Sequence, residues 1–174
     1  MGAATMTVIS NRRQMFEDAL GEYRAGRIRE EFPAYLLDDS VSFDDKLDAW
    51  ESFVIDACEP LECPLDHTFP DGLYVRKITM PAGSIITSRI HNFDNPFFIL
   101  KGKVIVVSEN EGQVIYEKGD SGVTKPNTRR LLLVLQETIW TTVHPNPDNS
   151  EDVPQLVDHL TYVRPHIKGL EVAL

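Results

Sequence analysis

Cysteine is almost missing from this sequence: Cys58 and Cys63, in the stretch CEPLEC, are the only two in 174 residues. That excludes a disulfide scaffold and fits a reducing compartment. The spacing is wrong for a CxxC redox or zinc pair, and no second pair exists. Cys58, Cys63 and His67 together still fall short of the four ligands of a structural zinc site, so small buried thiols are the expectation. Long apolar runs are also missing. None approaches the ~20 residues of a membrane span, so no membrane association is expected. An excess of positive charge is missing too. Lys and Arg number 17 against 27 Asp and Glu, a net −10, which argues against a sequence-independent grip on nucleic acid. The opening MGAATMTVISNRRQ has no apolar signal-peptide core, and Met6 stands where myristoylation wants Ser or Thr. A cytoplasmic protein is expected.

What is present suits a folded domain. Apolar residues make up 42% and charged residues 25%, close to the globular average. The acidity is not evenly spread. Residues 1–72 carry 6 basic and 16 acidic side chains, hence −10, whereas residues 73–174 carry 11 of each. The shift coincides with a change of hydrophobic period. It divides the chain into an acidic helical extension (1–72), a β region (73–145) and a tail returning to it (146–174).

In the first part, Ser10 can cap a helix with a stripe of Met15, Phe16, Ala19, Leu20 and Tyr23 that ends near Gly26. A second helix follows Ser42, with Asp44 and Asp45 in its first turn and a stripe of Phe43, Leu47, Trp50, Val54 and Cys58. From Leu73 the period becomes two. Strands are expected at 73–80, 84–91, 97–100, 103–108, 113–117 and 121–124, and then as a hairpin of 130–135 and 138–144 around Gln136-Glu137. Residues 158–163 could add one more. Short strands with turn punctuation and no long helix between them indicate an antiparallel sandwich or barrel.

The stretch MPAGSIITSRIHNFDNPFFILKGKVIVVSENEGQVIYEKGDSGVTKPNTRR resembles the two motifs of the cupin superfamily. Gly83, His91, Gly102, Gly119 and Pro126 fall at motif positions. TKPNTRR and TIWTTVHP further resemble small cupin-domain proteins encoded by tailed bacteriophages, which would put the chain in a host cytoplasm. The resemblance implies a mainly β fold: a cupin double-stranded β-helix, or jelly-roll barrel, behind an N-terminal α-helical extension. It also implies metal-ligand slots at Arg89, His91, Pro96 and Leu131, with Thr128 at a motif glycine. Only His91 is a ligand, so no metal or other cofactor is expected unless a rearranged site recruits His91 and His144.

Strand alternation puts Thr87, Arg89 and His91 on one face, and Trp140, Thr142 and His144 on another. With Leu131 in the inward slot, Arg129 lies near the barrel mouth and Arg130 points outward. Arginine forks carboxylate or phosphate and indole offers a stacking face. The candidate ligand-binding residues are therefore Arg89, His91, Arg129, Trp140 and His144. Three functions compete. One is a non-catalytic protein binding a small anionic ligand. The second is a cupin enzyme, metal-dependent or using His91 with Tyr74 or Tyr116 on a sugar-type substrate. The third is a structural or virion-associated subunit. A homodimer or higher homo-oligomer is expected in each case, because sheet edges need covering.

Overall fold

Residues 40–57 and 61–167 are described in the computed structural model of this protein. The chain divides into two compact units, Met1–Glu59 and Pro60–Leu174. In the first, helix α1 spans Phe43–Ala57. The Ser42 hydroxyl accepts the Asp45 backbone N–H at 3.1 Å, satisfying one of the free donors of the first turn. Asp44 and Asp45 occupy that turn, and Phe43, Leu47 and Trp50 are buried, as the stripe predicts. The side chain of Val54, Cys58 and the helix expected over 10–26 lie outside the described residues.

The second unit begins earlier than composition suggests. Strand β1 (Leu65–Thr68) pairs antiparallel with β2 (Leu73–Met80), so part of the acidic stretch assigned to the extension is sheet. β3 (Ile85–Thr87) and β4 (Ile90–His91) follow. The single strand expected over 84–91 is thus broken at Ser88-Arg89.

β5 (Asn95–Ser108) runs straight through Lys101-Gly102, where a turn was expected. After β6 (Gly112–Glu117) and β7 (Ser121–Thr124), β8 (Arg130–Pro145) is likewise one strand and not a hairpin. A two-residue hairpin needs positive φ in its loop, and neither Gln136 nor Glu137 has it.

These two long strands pair along their length, with register shifts between Ile99 and Val104. On one side of the shift β8 also pairs with β2 and β5 with β7. On the other, β8 pairs with β3 and β5 with β6. The sheet therefore has two halves, β1-β2-β8-β5-β7 and β3-β8-β5-β6, that share their central strands. Their inner faces meet in one core. Ile78, Met80, Phe97, Ile99 and Trp140 come from the first half, and Ile86, Val104, Val106, Tyr116, Leu132 and Val134 from the second. This is the mainly β rolled sheet expected, with a helix ahead of it.

The tail contributes an unexpected helix, and the strand expected over 158–163 is confined to Thr161–Tyr162. α2 (Val153–Leu160) is capped by Asp152, which accepts the Gln155 N–H at 3.0 Å. Leu156 and Leu160 pack with Tyr74. β9 (Thr161–Tyr162) then pairs with β4. No helix among the described residues is long and apolar enough to cross a membrane.

Gly102 sits at the shift with φ +89°. A Cβ there would strike the Glu137 carbonyl oxygen and come within 2.7 Å of the Thr138 Cα. Gly102→Ala should therefore cost at least ~2 kcal/mol, from left-handed strain plus a backbone clash. A lower urea midpoint at constant slope would report it; an unchanged midpoint would show that the close approach is not needed.

Candidate functional site

The inner face of the first half-sheet changes character along its strands. The cross-strand rows read Ile78–Trp140–Ile99, then Arg76–Thr142–Phe97, then Tyr74–His144. Asn95 precedes Phe97 by two residues and continues the last row on β5. Apolar rows give way to polar ones toward one end. The second half-sheet repeats the change: Val134 and Leu132 are followed inward by Arg130, opposite Ser108. Two polar ends thus meet beside one apolar core.

Rings line this end. His91 stacks on His144 with centroids 5.5 Å apart, and His144 on Tyr74 at 5.6 Å. The Tyr74 hydroxyl and His67 Nδ1 are hydrogen-bonded at 2.8 Å. On the other side, Phe97 and Trp140 stack at 4.4 Å, with Tyr116 edge-on to both. Phe97 lies so close over Gly122 that a Cβ would come within 2.7 Å of the ring. The Arg130 guanidinium carbon sits 5.2 Å from the Trp140 ring centre and 5.7 Å from that of Phe97, within cation–π range.

His91 is held from both ends. Its carbonyl accepts the N–H of Asn127 at 2.9 Å, and Asn127 adopts φ 62° in the turn before β8. Its Nε2 lies 2.9 Å from Asn95 Nδ2. With that amide donating, the imidazole proton sits on Nδ1, which has no partner. His144 Nε2 lies 3.0 Å from the Thr142 hydroxyl, which donates weakly to the Arg76 carbonyl at 3.4 Å.

The charge balance is one-sided. Arg76, Arg89 and Arg130 all bear on His91, and no carboxylate among the described residues lies within ion-pair distance of any of the three. The Nε atoms of Arg76 and Arg130 are buried with no partner. Arg89 donates from Nε to Thr161 Oγ1 at 2.7 Å, and Asp158 supports its charge at longer range. Burial lowers the pKa of Arg76, and brings Arg130 to about 10. Burial, then His144, then the arginines hold His91 at about 3. Burial, then Arg76, hold His144 at about 4. Both imidazoles are neutral near pH 7.

His91 and His144 are brought together and Arg89 acts on His91, whereas Trp140 lies two rows away, stacked on Phe97 in the apolar core. Arg129 is a correction. It precedes β8 one residue out of phase with Arg130, which is the arginine that enters the barrel. Leu131 lies on the reverse face, because Leu132 and Val134 face the core. Counting from Pro126 misses by one residue, and with a period of two one residue reverses the face. Thr87 does not join His91, since Ile86 is the inward residue of β3 and the strand breaks after Thr87. Tyr74, not Tyr116, adjoins the histidines. Arg76 and Asn95 were missed. Arg76 sits at an inward position of LYVRKITM, and a buried-phase arginine was the available signal.

No protein-family model matches the chain, and neither does any curated protein. Solved structures similar to it include a cupin family protein with a double-stranded β-helix fold from Methanocaldococcus jannaschii. It is 15% identical with a TM-score of 0.42, over 50% of this chain and 84% of that one. A cupin-2 domain protein from Shewanella frigidimarina is 9% identical with a TM-score of 0.40, over 64% and 99%. A double-stranded β-helix protein from Klebsiella pneumoniae is 16% identical with a TM-score of 0.43, over 56% and 90%. These are likenesses of fold alone.

Neutral buried histidines tie stability to pH. Their folded pKa values lie below the unfolded value of about 6.5, so the unfolded chain binds more protons between the two. The contribution is complete above about pH 6.5 and is lost as pH falls toward 4 and 3. Between pH 7 and pH 5 the pair should cost roughly 2–4 kcal/mol of unfolding free energy. Urea titrations at the two pH values check this, and His91→Gln with His144→Gln should flatten most of the difference. Equal wild-type stability at both would contradict the burial of neutral imidazoles.

Proposed function

We infer that this chain is a cupin-fold protein that binds a small anion, without catalysis, at the polar end of the barrel. The observation that carries the reading is Arg76: a half-buried guanidinium whose Nε is enclosed with no partner, and with no carboxylate of the described residues in ion-pair reach. An uncompensated buried charge costs several kcal/mol, and an anion placed against it recovers much of that. Arg130, pinned on an aromatic wall, and the Nδ1–H of His91 point the same way. The resemblance to phage-encoded proteins adds no ligand to this reading.

Binding is favoured over acid–base catalysis by the histidines themselves. An imidazole held at about 3 or 4 is a weak base near pH 7, where general bases work best with a pKa close to the operating pH.

Small anions should raise the melting temperature. Occupancy at a hundredfold excess over Kd adds ~2.7 kcal/mol, a shift of several degrees for a domain of this size. Arg76→Gln should remove the shift. A panel of inorganic and organic anions that leaves wild type unmoved, or a shift that survives in R76Q, would overturn the reading.

A further inference from the structure

The anion reading leaves its chemical class open, and the placement of the two unsatisfied guanidiniums narrows it. Arg76 belongs to β2 and stands beside Thr142 on β8, with Phe97 beyond it on β5. Neighbouring strands are ~4.8 Å apart, so the β2 and β5 backbones are separated by ~10 Å. Arg130 comes from the opposing half-sheet and lies over Trp140 of the next row on β8 and, slightly further, over Phe97. The cations therefore enter from facing half-sheets, and both act on His91 while neither acts on the other. The His91–His144 stack adjoins Thr142.

Charge counting agrees. Arg89 has Thr161 as a partner and Asp158 nearby. Arg130 has only Tyr116 and the exposed Glu111, acting at longer range. Arg76 has Tyr74 and Cys63, both ordinarily neutral. Among the described residues, two positive charges are left without a facing carboxylate. A monoanion would neutralise one and leave the other unpaired with its Nε enclosed, which is costly. One compact dianion would have to draw both guanidiniums to the same point, yet the stacking of Arg130 holds it over its rings.

We propose that the ligand is a short dicarboxylate, one carboxylate forked by Arg76 and the other by Arg130. This rests on the anion-binding reading above. Each guanidinium offers a planar fork matched to a carboxylate, and the neutral imidazole between them accommodates the linker without adding charge.

Isothermal titration of the full chain at pH 7 tests this with four probes: butyrate, succinate, glutarate and inorganic phosphate. Succinate or glutarate should bind at least tenfold more tightly than butyrate. Arg76→Gln and Arg130→Gln should each reduce the dicarboxylate to butyrate's affinity, with folding checked by near-ultraviolet circular dichroism. Arg130→Lys keeps the charge but loses the fork, and should retain only part of the preference. Because wild-type selectivity is the first readout, the test does not depend on a variant folding. Equal affinity for butyrate and the dicarboxylates would overturn the two-headed ligand, and so would phosphate binding more tightly than either; in both cases the anion-binding reading stands. Failure of all four probes to bind would overturn both.

Discussion

Position 102 tolerates no side chain, because the backbone of β8 at Glu137 and Thr138 passes directly against it. At that approach the two longest strands change register together, and one sheet becomes two facing halves. Everything else in the second unit follows from this. The inner faces of the halves bury each other's apolar residues, which is the largest favourable term available to a domain of this size. Since β5 and β8 each run through both halves, a residue's place along either strand also fixes its distance from the bend. Trp140 lies near the bend and in the core. His144 lies four residues further on and at the polar end.

The polar end is expensive to maintain. A core arginine without a counterion is less stable than an apolar residue of similar volume; among the described residues Arg130 is in that state, and Arg76 approaches it with its Nε enclosed. The fold limits the cost without removing it. Arg130 spreads its charge over two ring faces, and Thr142 ties β8 to the Arg76 carbonyl. The histidines contribute by staying neutral, since a third and fourth buried cation would be prohibitive. Stability has been given up here for a cluster of buried polar atoms without partners among the described residues, on which the anion-binding proposal rests.

Much of this could be read from the chain because turns and alternation are local. β2 and β7 stand where their period and flanking turns put them, and the Ser42 cap and apolar stripe of α1 are visible in the letters. The errors share a different origin. Lys101-Gly102 and Gln136-Glu137 look like turns when each strand is considered singly. Only their pairing shows that Gly102 permits close approach inside continuous strands. The helix Val153–Leu160 is short and its cap and Pro154 are weak signals, so of the strand expected over 158–163 only Thr161–Tyr162 remains. At the polar end, His91 was legible from the motif spacing and His144 from the strand face it shares with Thr142. Arg130 was lost to a one-residue slip, and Arg76 stands at no motif position.

That one-residue difference shows what decides which arginine faces this end of the barrel. Arg129 and Arg130 are chemically identical and adjacent, and composition cannot tell them apart. Asn127 makes the distinction. Its left-handed turn fixes the phase in which β8 begins, and the same residue's N–H holds the His91 carbonyl. One turn therefore sets both the arginine that enters the barrel and the strand that carries the imidazole it meets. A shift of one residue in that turn would carry Leu131 inward and send Arg130 to the reverse face. The core would accept the leucine readily, but the polar end would lose a cation. The character of this end of the barrel lies in the phase of a strand as much as in the identity of its side chains.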